Sequence, residues 1–167
     1  MTIKLAAVTG TYMGILGGYY LYLTINVIKE RRNAQIAIGD GSSAIIQQLI
    51  ESGKNANVSD YSSIDPSRYQ SLVIAIRAHG NFNEFIPLVG VLSLINELHG
   101  APAGLLHLVL GSFTAARIAH VHGLKAKQNI GLGRKVGAAS TILTLSLASL
   151  GSFYFSNKEL IHSLIGR

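Results

Sequence analysis

Two long stretches without a charged side chain constrain this sequence more than any other feature. Residues 5–28 and 136–155 contain no Asp, Glu, Lys or Arg, and both exceed the ~18 apolar residues that suggest a membrane span. A third apolar run covers 101–116, and a fourth covers about 72–98 but carries a polar motif. Charged residues make up 13% of the chain, against about 25% in a typical soluble domain. The sequence therefore predicts an all-α membrane protein built as a bundle of four transmembrane helices.

Local signals place the predicted helices along the chain. Asp65 followed by Pro66 is a good helix start, because aspartate caps the first turn and proline fits its first position. Gly10, Gly14 and Gly18 form a row on the first span, which predicts close packing against another helix. We predict a single domain, 1–167, with spans at about 3–28, 66–98, 103–124 and 133–156 and a polar loop at about 29–65. Within this loop, 43–52 is a candidate short amphipathic helix, because its apolar residues have helical spacing.

Basic residues cluster in two loops and predict the orientation of the spans. They follow the first span and separate the third from the fourth, whereas the connection between the second and third has no Lys or Arg. The positive-inside rule puts both basic loops in the cytoplasm and both termini outside. The charges lack the basic face and aromatic platform of a nucleic-acid site, so no such partner is predicted. The first loop holds Lys29, Arg31, Arg32, Lys54 and Arg68, and the second holds Lys125, Lys127, Arg134 and Lys135.

The second predicted span carries five polar residues within about two helical turns. Arg77, Asn81 and Glu84 are spaced i, i+4, i+7, which puts them on one helix face. Ionisable groups in hydrocarbon are costly, and they are usually functional where they occur. This face must therefore meet another protein surface, a water-filled cavity or a polar ligand rather than lipid.

Ionisable residues from the other spans are predicted to lie at the same cytoplasmic level. In one interpretation they only hold the bundle together, with an arginine paired to Glu84. The arginines outnumber the single deep acid, however, which favours an anionic ligand. Arginines would bind its carboxylates and Glu84 an amine. The residues that the predicted topology brings together are Arg31, Arg32, Arg77, His79, Glu84, Arg117, His120, His122 and Arg134.

Histidines in this region raise the alternative of a metal or haem site, which we do not favour. His120 and His122 are two residues apart and so do not share a helix face. A single histidine such as His79 is more often a hydrogen-bonding partner. The chain has no cysteine, so it has neither a thiolate ligand nor a thiol nucleophile of its own.

The eleven residues 77–87, RAHGNFNEFIP, resemble the second-helix motif of the MAPEG superfamily, the membrane-associated proteins in eicosanoid and glutathione metabolism. That pattern is an arginine, an asparagine four residues later, then a glutamate and a proline at successive intervals of three, and Arg77, Asn81, Glu84 and Pro87 match it. The short, glycine-containing motif is most similar to that of small bacterial members. Weaker similarities lie in the other spans, at Arg31-Arg32, at Arg117 with His120, and at Arg134 with Gly137 and Thr141.

The resemblance implies a homotrimer of four-helix bundles with glutathione bound between subunits near the cytoplasmic face. It implies that Arg134 is the catalytic residue, which stabilises the glutathione thiolate as a nearby cation does. The thiolate would attack a hydrophobic electrophile or reduce a peroxide, and the protein would lie in a bacterial inner membrane. The predicted glutathione-binding residues are Arg31, Arg32, Arg77, His79, Asn81, Glu84, Arg117 and His120.

Other functions remain open at this stage. Tyrosines that several eukaryotic members carry late in the third helix are absent, and His120 and Leu124 stand in related places. The chain could bind glutathione or a lipid without catalysis. It could also move small ions or protons through Glu84 and the histidines, or act as a scaffold whose polar residues fix helix packing.

Overall fold

All regular structure in the described part of the chain is helical, which confirms the all-α prediction. The structure, a computed structural model, describes residues 5–54, 65–126 and 131–166, so Lys127 of the second basic loop lies outside it. A 3-10 turn at Pro66–Tyr69 leads directly into the third α-helix. The α-helices of the described residues are α1 (Ala7–Ala34), α2 (Ser42–Lys54), α3 (Gln70–Leu98), α4 (Ala103–Leu124), α5 (Leu132–Ser156) and α6 (Lys158–Ile165).

Two of these helices, α4 and α5, are long and apolar enough to cross a membrane. The helices α1 and α3 have 28 and 29 residues, or about 42–44 Å at 1.5 Å per residue, which exceeds a ~30 Å hydrocarbon core. They are less apolar, because α1 carries glycines, tyrosines and a basic end, and α3 carries the polar motif. The four-span bundle thus stays a prediction for α1 and α3.

Helical structure extends beyond the predicted spans. The first helix continues to Ala34 and takes in Arg31 and Arg32, where positive charge interacts favourably with the carbonyl end of the helix dipole. Helix α2 lies within the segment predicted as a polar loop, and α6 follows the last predicted span. Both are amphipathic and bury no residue within the chain, so no long apolar run marks them in the sequence.

The chain divides into two compact units, and each is described by itself. One comprises the described residues of Met1–Tyr20 and Asn81–Arg167, and the other comprises Leu21–Gly80. The second unit has a small core of Ala34, Tyr69 and Leu72. Gly41 has a φ of +96°, and a Cβ built there would lie 2.5 Å from the Tyr69 ring. Only glycine fits this turn without strain.

The cap predicted at Asp65 is present in the second unit. The Asp65 carboxylate accepts a hydrogen bond from the Ser67 amide at 2.9 Å, and the hydroxyl and amide of Ser67 together lower the pKa of Asp65. Asp40 makes the same arrangement before α2, where the hydroxyl and amide of Ser42 donate at 2.6 and 3.0 Å and lower the pKa of Asp40. Both helix starts are therefore stabilised by an ionised aspartate.

In the first unit, helices α4 and α5 approach closely because glycines lie at their contacts. A Cβ at Gly137 would lie 2.5 Å from the His120 Cβ and 2.8 Å from the Ala116 carbonyl oxygen. Gly123 and Gly133 face the backbone of the opposite helix in the same way. Small residues let helix backbones pack closely in a membrane, where dispersion contacts drive association. These contacts fix the end of α4 against the start of α5.

A carboxylate at the end of α3 holds the start of α1. The two oxygens of Glu97 accept hydrogen bonds from the amides of Val8 at 2.9 Å and Thr9 at 2.8 Å. These amides belong to the first turn of α1, whose N–H groups have no partner within the helix. Tyr12 adds a contact to α4 by donating its hydroxyl to the His107 carbonyl oxygen at 3.2 Å. The first turns of α1 are thus tied to both α3 and α4.

Candidate functional site

Arg117 of α4 is the most deeply buried charged side chain among the described residues, with 1% of its surface exposed. Its guanidinium donates to the Asn81 side-chain oxygen at 3.0 Å and to the Gly137 carbonyl oxygen at 3.3 Å. It also lies over the Phe85 ring, 5.7 Å from the centroid, and interacts electrostatically with Glu84. Its Nε atom is buried without a hydrogen-bond partner. Arg117 therefore joins α3, α4 and α5 at one point and keeps one unused donor there.

His120 extends this polar group toward the start of α5. It lies one helical turn beyond Arg117, and its Nδ1 is 3.1 Å from the carbonyl oxygen of Arg134. Gly137 makes the approach possible, since a side chain there would displace His120. The Arg134 side chain itself is exposed. The backbone of Arg134 is thus held by a contact with α4, while its side chain stays exposed.

The polar face of α3 is largely uncovered within a single chain. Arg77 and Glu84 are exposed and Asn81 is half-buried. The amide oxygen of Asn81 is bonded to Arg117, so its NH₂ group is the part that can serve a ligand. This face offers a cation, a carboxylate and an amide donor within about two turns of one helix.

The remaining predicted residues lie in the second unit and have different surroundings. The Arg31 guanidinium donates to the carbonyl oxygens of Ala37 at 3.2 Å and Gly39 at 2.8 Å, which holds the turn after α1. Arg32, its neighbour, is exposed. His79 lies 3.1 Å from the Thr24 hydroxyl through its Nε2 atom. Among the described residues, no group of three or more His, Cys, Asp or Glu side chains is arranged to hold a metal ion.

The model of a known protein family matches most of this chain, including the helices that carry the site. The model of the MAPEG family matches residues 9–154, from the first turn of α1 to the last turn of α5. The chain belongs to the MAPEG family. The resemblance carried by Arg77, Asn81, Glu84 and Pro87 is thus confirmed. As a MAPEG protein, the chain is a membrane protein of the kind found in eicosanoid and glutathione metabolism.

Two relatives of this MAPEG chain are proteins of Escherichia coli. Both are named inner membrane protein YecN, one from strain K12 and one from strain O6:H1. Each is 32% identical over 96 residues, which cover 58% of this chain and 72% of the relative. No solved structure matches the chain.

The sequence singles out many of the polar residues described above, but it does not predict which of them contact each other. It left open a pairing of Arg117 with Glu84, whereas the closest partners of Arg117 are Asn81 and the Gly137 carbonyl oxygen. It did not assign a role to Phe85, although an aromatic ring one turn after Asn81 is a ready partner for a buried cation. Gly137 was noted only for its resemblance, although Gly133 lies four residues before it, and such a pair of small residues is the signal of a close helix contact.

Proposed function

We propose that this MAPEG protein is a glutathione-dependent transferase or peroxidase of the bacterial inner membrane. It binds glutathione near the cytoplasmic side and activates the thiol for attack on a hydrophobic electrophile. The inner-membrane assignment rests on the names of the two relatives. The orientation, with basic loops in the cytoplasm and both termini outside, rests on the distribution of Lys and Arg.

The observation that carries this proposal is the uncovered polar face of α3 behind the buried Arg117. Exposed Arg77 and Glu84 on a helix of membrane-spanning length need a polar partner. Arg117 anchors the same face through Asn81 and leaves its buried Nε without a partner. A ligand with carboxylates, amides and an ammonium group satisfies both signs of charge, and glutathione has all three.

The chemistry of each side chain gives it a place in the proposal. Arg77 binds a carboxylate, in a bidentate manner where the geometry allows, and Glu84 binds the ammonium group. Arg134 lies beside the thiol and favours its ionised form, since a nearby cation lowers a thiol pKa. Further glutathione-binding candidates are His79, His120, Arg31 and Arg32. Of the two arginines we favour Arg32, because the Arg31 guanidinium already bonds the turn after α1.

We also propose that the protein assembles as a homotrimer with glutathione bound between subunits. The trimer number comes from the family resemblance, while two observations support assembly itself. Arg77 and Glu84 are exposed in the single chain although lipid cannot solvate them. The glycines of α1 at positions 10, 14, 17 and 18 have open space beside them in the described part of the chain, so a second copy can approach closely there.

Native mass spectrometry in mild detergent should detect three chains per particle. Gly14→Leu should shift the population toward monomer, because a large side chain blocks the approach of a second helix to α1. Gly53→Leu in α2 is the matched control, since Gly53 also has open space around it but lies outside the proposed interface. A wild-type protein that stays a stable monomer would exclude both the trimer and a site between subunits.

Glutathione binding tests the proposed function directly. Calorimetry should detect glutathione binding to the wild type. Glu84→Gln should weaken this binding by roughly 10- to 100-fold, because it removes one charge-assisted hydrogen bond in a poorly solvated site. Arg134→Ala should leave binding nearly intact but remove the thiolate absorbance near neutral pH. Conjugation of an aryl halide should fall in parallel with the absorbance.

The control for charge alone is Glu159→Gln, which removes an exposed carboxylate from α6 and should not change binding. Absence of binding to folded wild type at millimolar glutathione contradicts the proposal. Binding without conjugation or peroxide reduction favours the non-catalytic alternative, and pH-dependent flux through liposomes without any binding favours a transporter.

A further inference from the structure

A second candidate site lies in the first unit, at the other end of α4 from Arg117. It is a cavity of about 80 Å³ between α3, α4 and α5, near the turn that joins α3 to α4. Leu106 lines it and lies eleven residues before Arg117, which corresponds to about 16 Å along the helix. The cavity is therefore separate from the proposed glutathione site.

The cavity is apolar except at one side, where an amide oxygen has no partner. Asn96 is 5% exposed, and its Nδ2 donates to the Ala148 carbonyl oxygen at 3.0 Å. Its Oδ1 atom is buried and without a hydrogen-bond partner. Ser93 is the other polar residue of the lining, and the rest is apolar side chains and glycine. A buried acceptor without a donor is costly, so this oxygen points to a missing donor.

Gly151 of α5 leaves the space beside this oxygen. A Cβ at position 151 would lie 3.0 Å from Asn96 Oδ1 and 3.2 Å from Nδ2. That distance is tighter than an ordinary van der Waals contact, so any larger residue would press on the amide. The glycine therefore places no side chain against the amide oxygen on the side of α5 that lines the cavity.

We infer that this cavity binds a neutral amphiphile whose single hydroxyl donates to Asn96 Oδ1. No charged residue lines the cavity, so a carboxylate or an ammonium group would be unpaired there. A carboxylate also has no proton to donate to an amide oxygen. The matching chemistry is an aliphatic alcohol or another hydroxylated lipid-like molecule.

The surroundings of the cavity agree with an apolar tail on this ligand. Leu105 and Leu147 both line the cavity and are 46% exposed, so the cavity reaches the apolar surface of the helices. A volume near 80 Å³ accommodates a hydroxyl group and the first few carbons, and a longer chain can extend over the exposed leucines. Water alone fits the site less well, because a buried water needs about three polar partners.

Photolabelling of the full-length protein in phospholipid nanodiscs tests this inference. The probe is 1-decanol that carries a diazirine on its chain, and fragment-ion mass spectrometry locates the labelled residues. Label should appear at or beside Leu105 and Leu147. Unlabelled 1-decanol should compete about three- to tenfold better than decyl methyl ether, the difference expected for one hydrogen bond, because the ether accepts but cannot donate.

Two variants and one control complete the test. Asn96→Leu should abolish the preference for alcohol over ether. The control, Asn157→Leu, should retain it. It also removes an amide that donates to a carbonyl oxygen of α5, but away from the cavity. Gly151→Ala should reduce labelling at both leucines, and it decides the matter if Asn96→Leu does not fold. Equal competition by the ether, or a preference that survives in Asn96→Leu, would overturn the inference. So would undiminished labelling of Gly151→Ala, or label only on the exposed residues Leu143 and Leu150.

Discussion

Arg117→Ala should lower the free energy of unfolding by about 2–4 kcal/mol, one of the largest losses that a single side chain of this protein can cause. Truncation removes the largest fully buried side chain among the described residues and leaves a cavity between three helices. It also deprives Asn81 and the Gly137 carbonyl oxygen of their donor. Interhelical hydrogen bonds in membranes contribute about 1 kcal/mol each, so the cavity accounts for much of the expected loss.

Reversible unfolding in mixed detergent micelles, followed by circular dichroism, measures this loss. Arg117→Met separates volume from hydrogen bonding, since it fills most of the space without a donor, and it should cost less than the alanine variant. Arg68→Ala is the matched control. Arg68 is exposed, donates to Gln35 at 3.3 Å and stacks 5.7 Å from the Tyr69 ring, and such a surface change should stay within about 0.5 kcal/mol.

An Arg117→Ala protein as stable as the wild type would mean that the guanidinium is not a structural anchor. Its contacts with Asn81 and Gly137 would then contribute little in the membrane. A stable variant that no longer binds glutathione would instead assign Arg117 a direct contact with the ligand through its unused Nε. The two measurements together therefore separate anchoring from binding.

The sequence predicts the helical elements well where hydrophobic length decides them. The uncharged run at 136–155 lies within α5, and the run at 5–28 overlaps α1 from residue 7 onward. Within the polar loop the apolar positions indicate a short amphipathic helix over 43–52, and α2 (Ser42–Lys54) is found there. The sequence predicts α6 poorly, because a helix of eight residues gives only about two turns of periodic signal.

The site residues are predictable as a set because helical spacing is a local property. Arg77, Asn81 and Glu84 share a face whatever helix lies opposite. The partner of each residue is not local, since it depends on the register between helices. That register is set by contacts such as Gly137 against His120 and Glu97 against the amides of Val8 and Thr9. No single-sequence pattern specifies which residues of two helices face each other.

Asn96 shows the same limit at the other end of the bundle. In the sequence it is one more polar residue near the end of an apolar run, where side chains commonly reach water. Only the structure places it 5% exposed, bonded to Ala148 and next to Gly151. A polar residue near a helix end can therefore be buried whenever a neighbouring helix extends past it, as α5 does here.

Gly137→Leu should prevent stable packing of α4 against α5 and cause a large loss of stability. Even a Cβ at this position would lie 2.5 Å from the His120 Cβ and 2.8 Å from the Ala116 carbonyl oxygen. The carbonyl belongs to the α4 backbone and cannot rotate away, so the helices must separate. Overpacking of a tight core costs about 1–3 kcal/mol for small insertions, and a branched side chain against backbone should exceed that range.

Ala138→Leu is the matched control for this prediction, because Ala138 is the adjacent residue of α5 and is exposed. The same detergent unfolding measurement should place Ala138→Leu near the wild type, Gly137→Ala at an intermediate stability and Gly137→Leu lowest or unfolded. Separation of the helices also moves the Arg134 backbone away from His120 and the Gly137 carbonyl oxygen away from Arg117. Any Gly137→Leu protein that remains folded should therefore lose the position of Arg134 that the proposed thiolate stabilisation requires. Equal stability of Gly137→Leu and Ala138→Leu would contradict the close contact between α4 and α5 on which the geometry of this site depends.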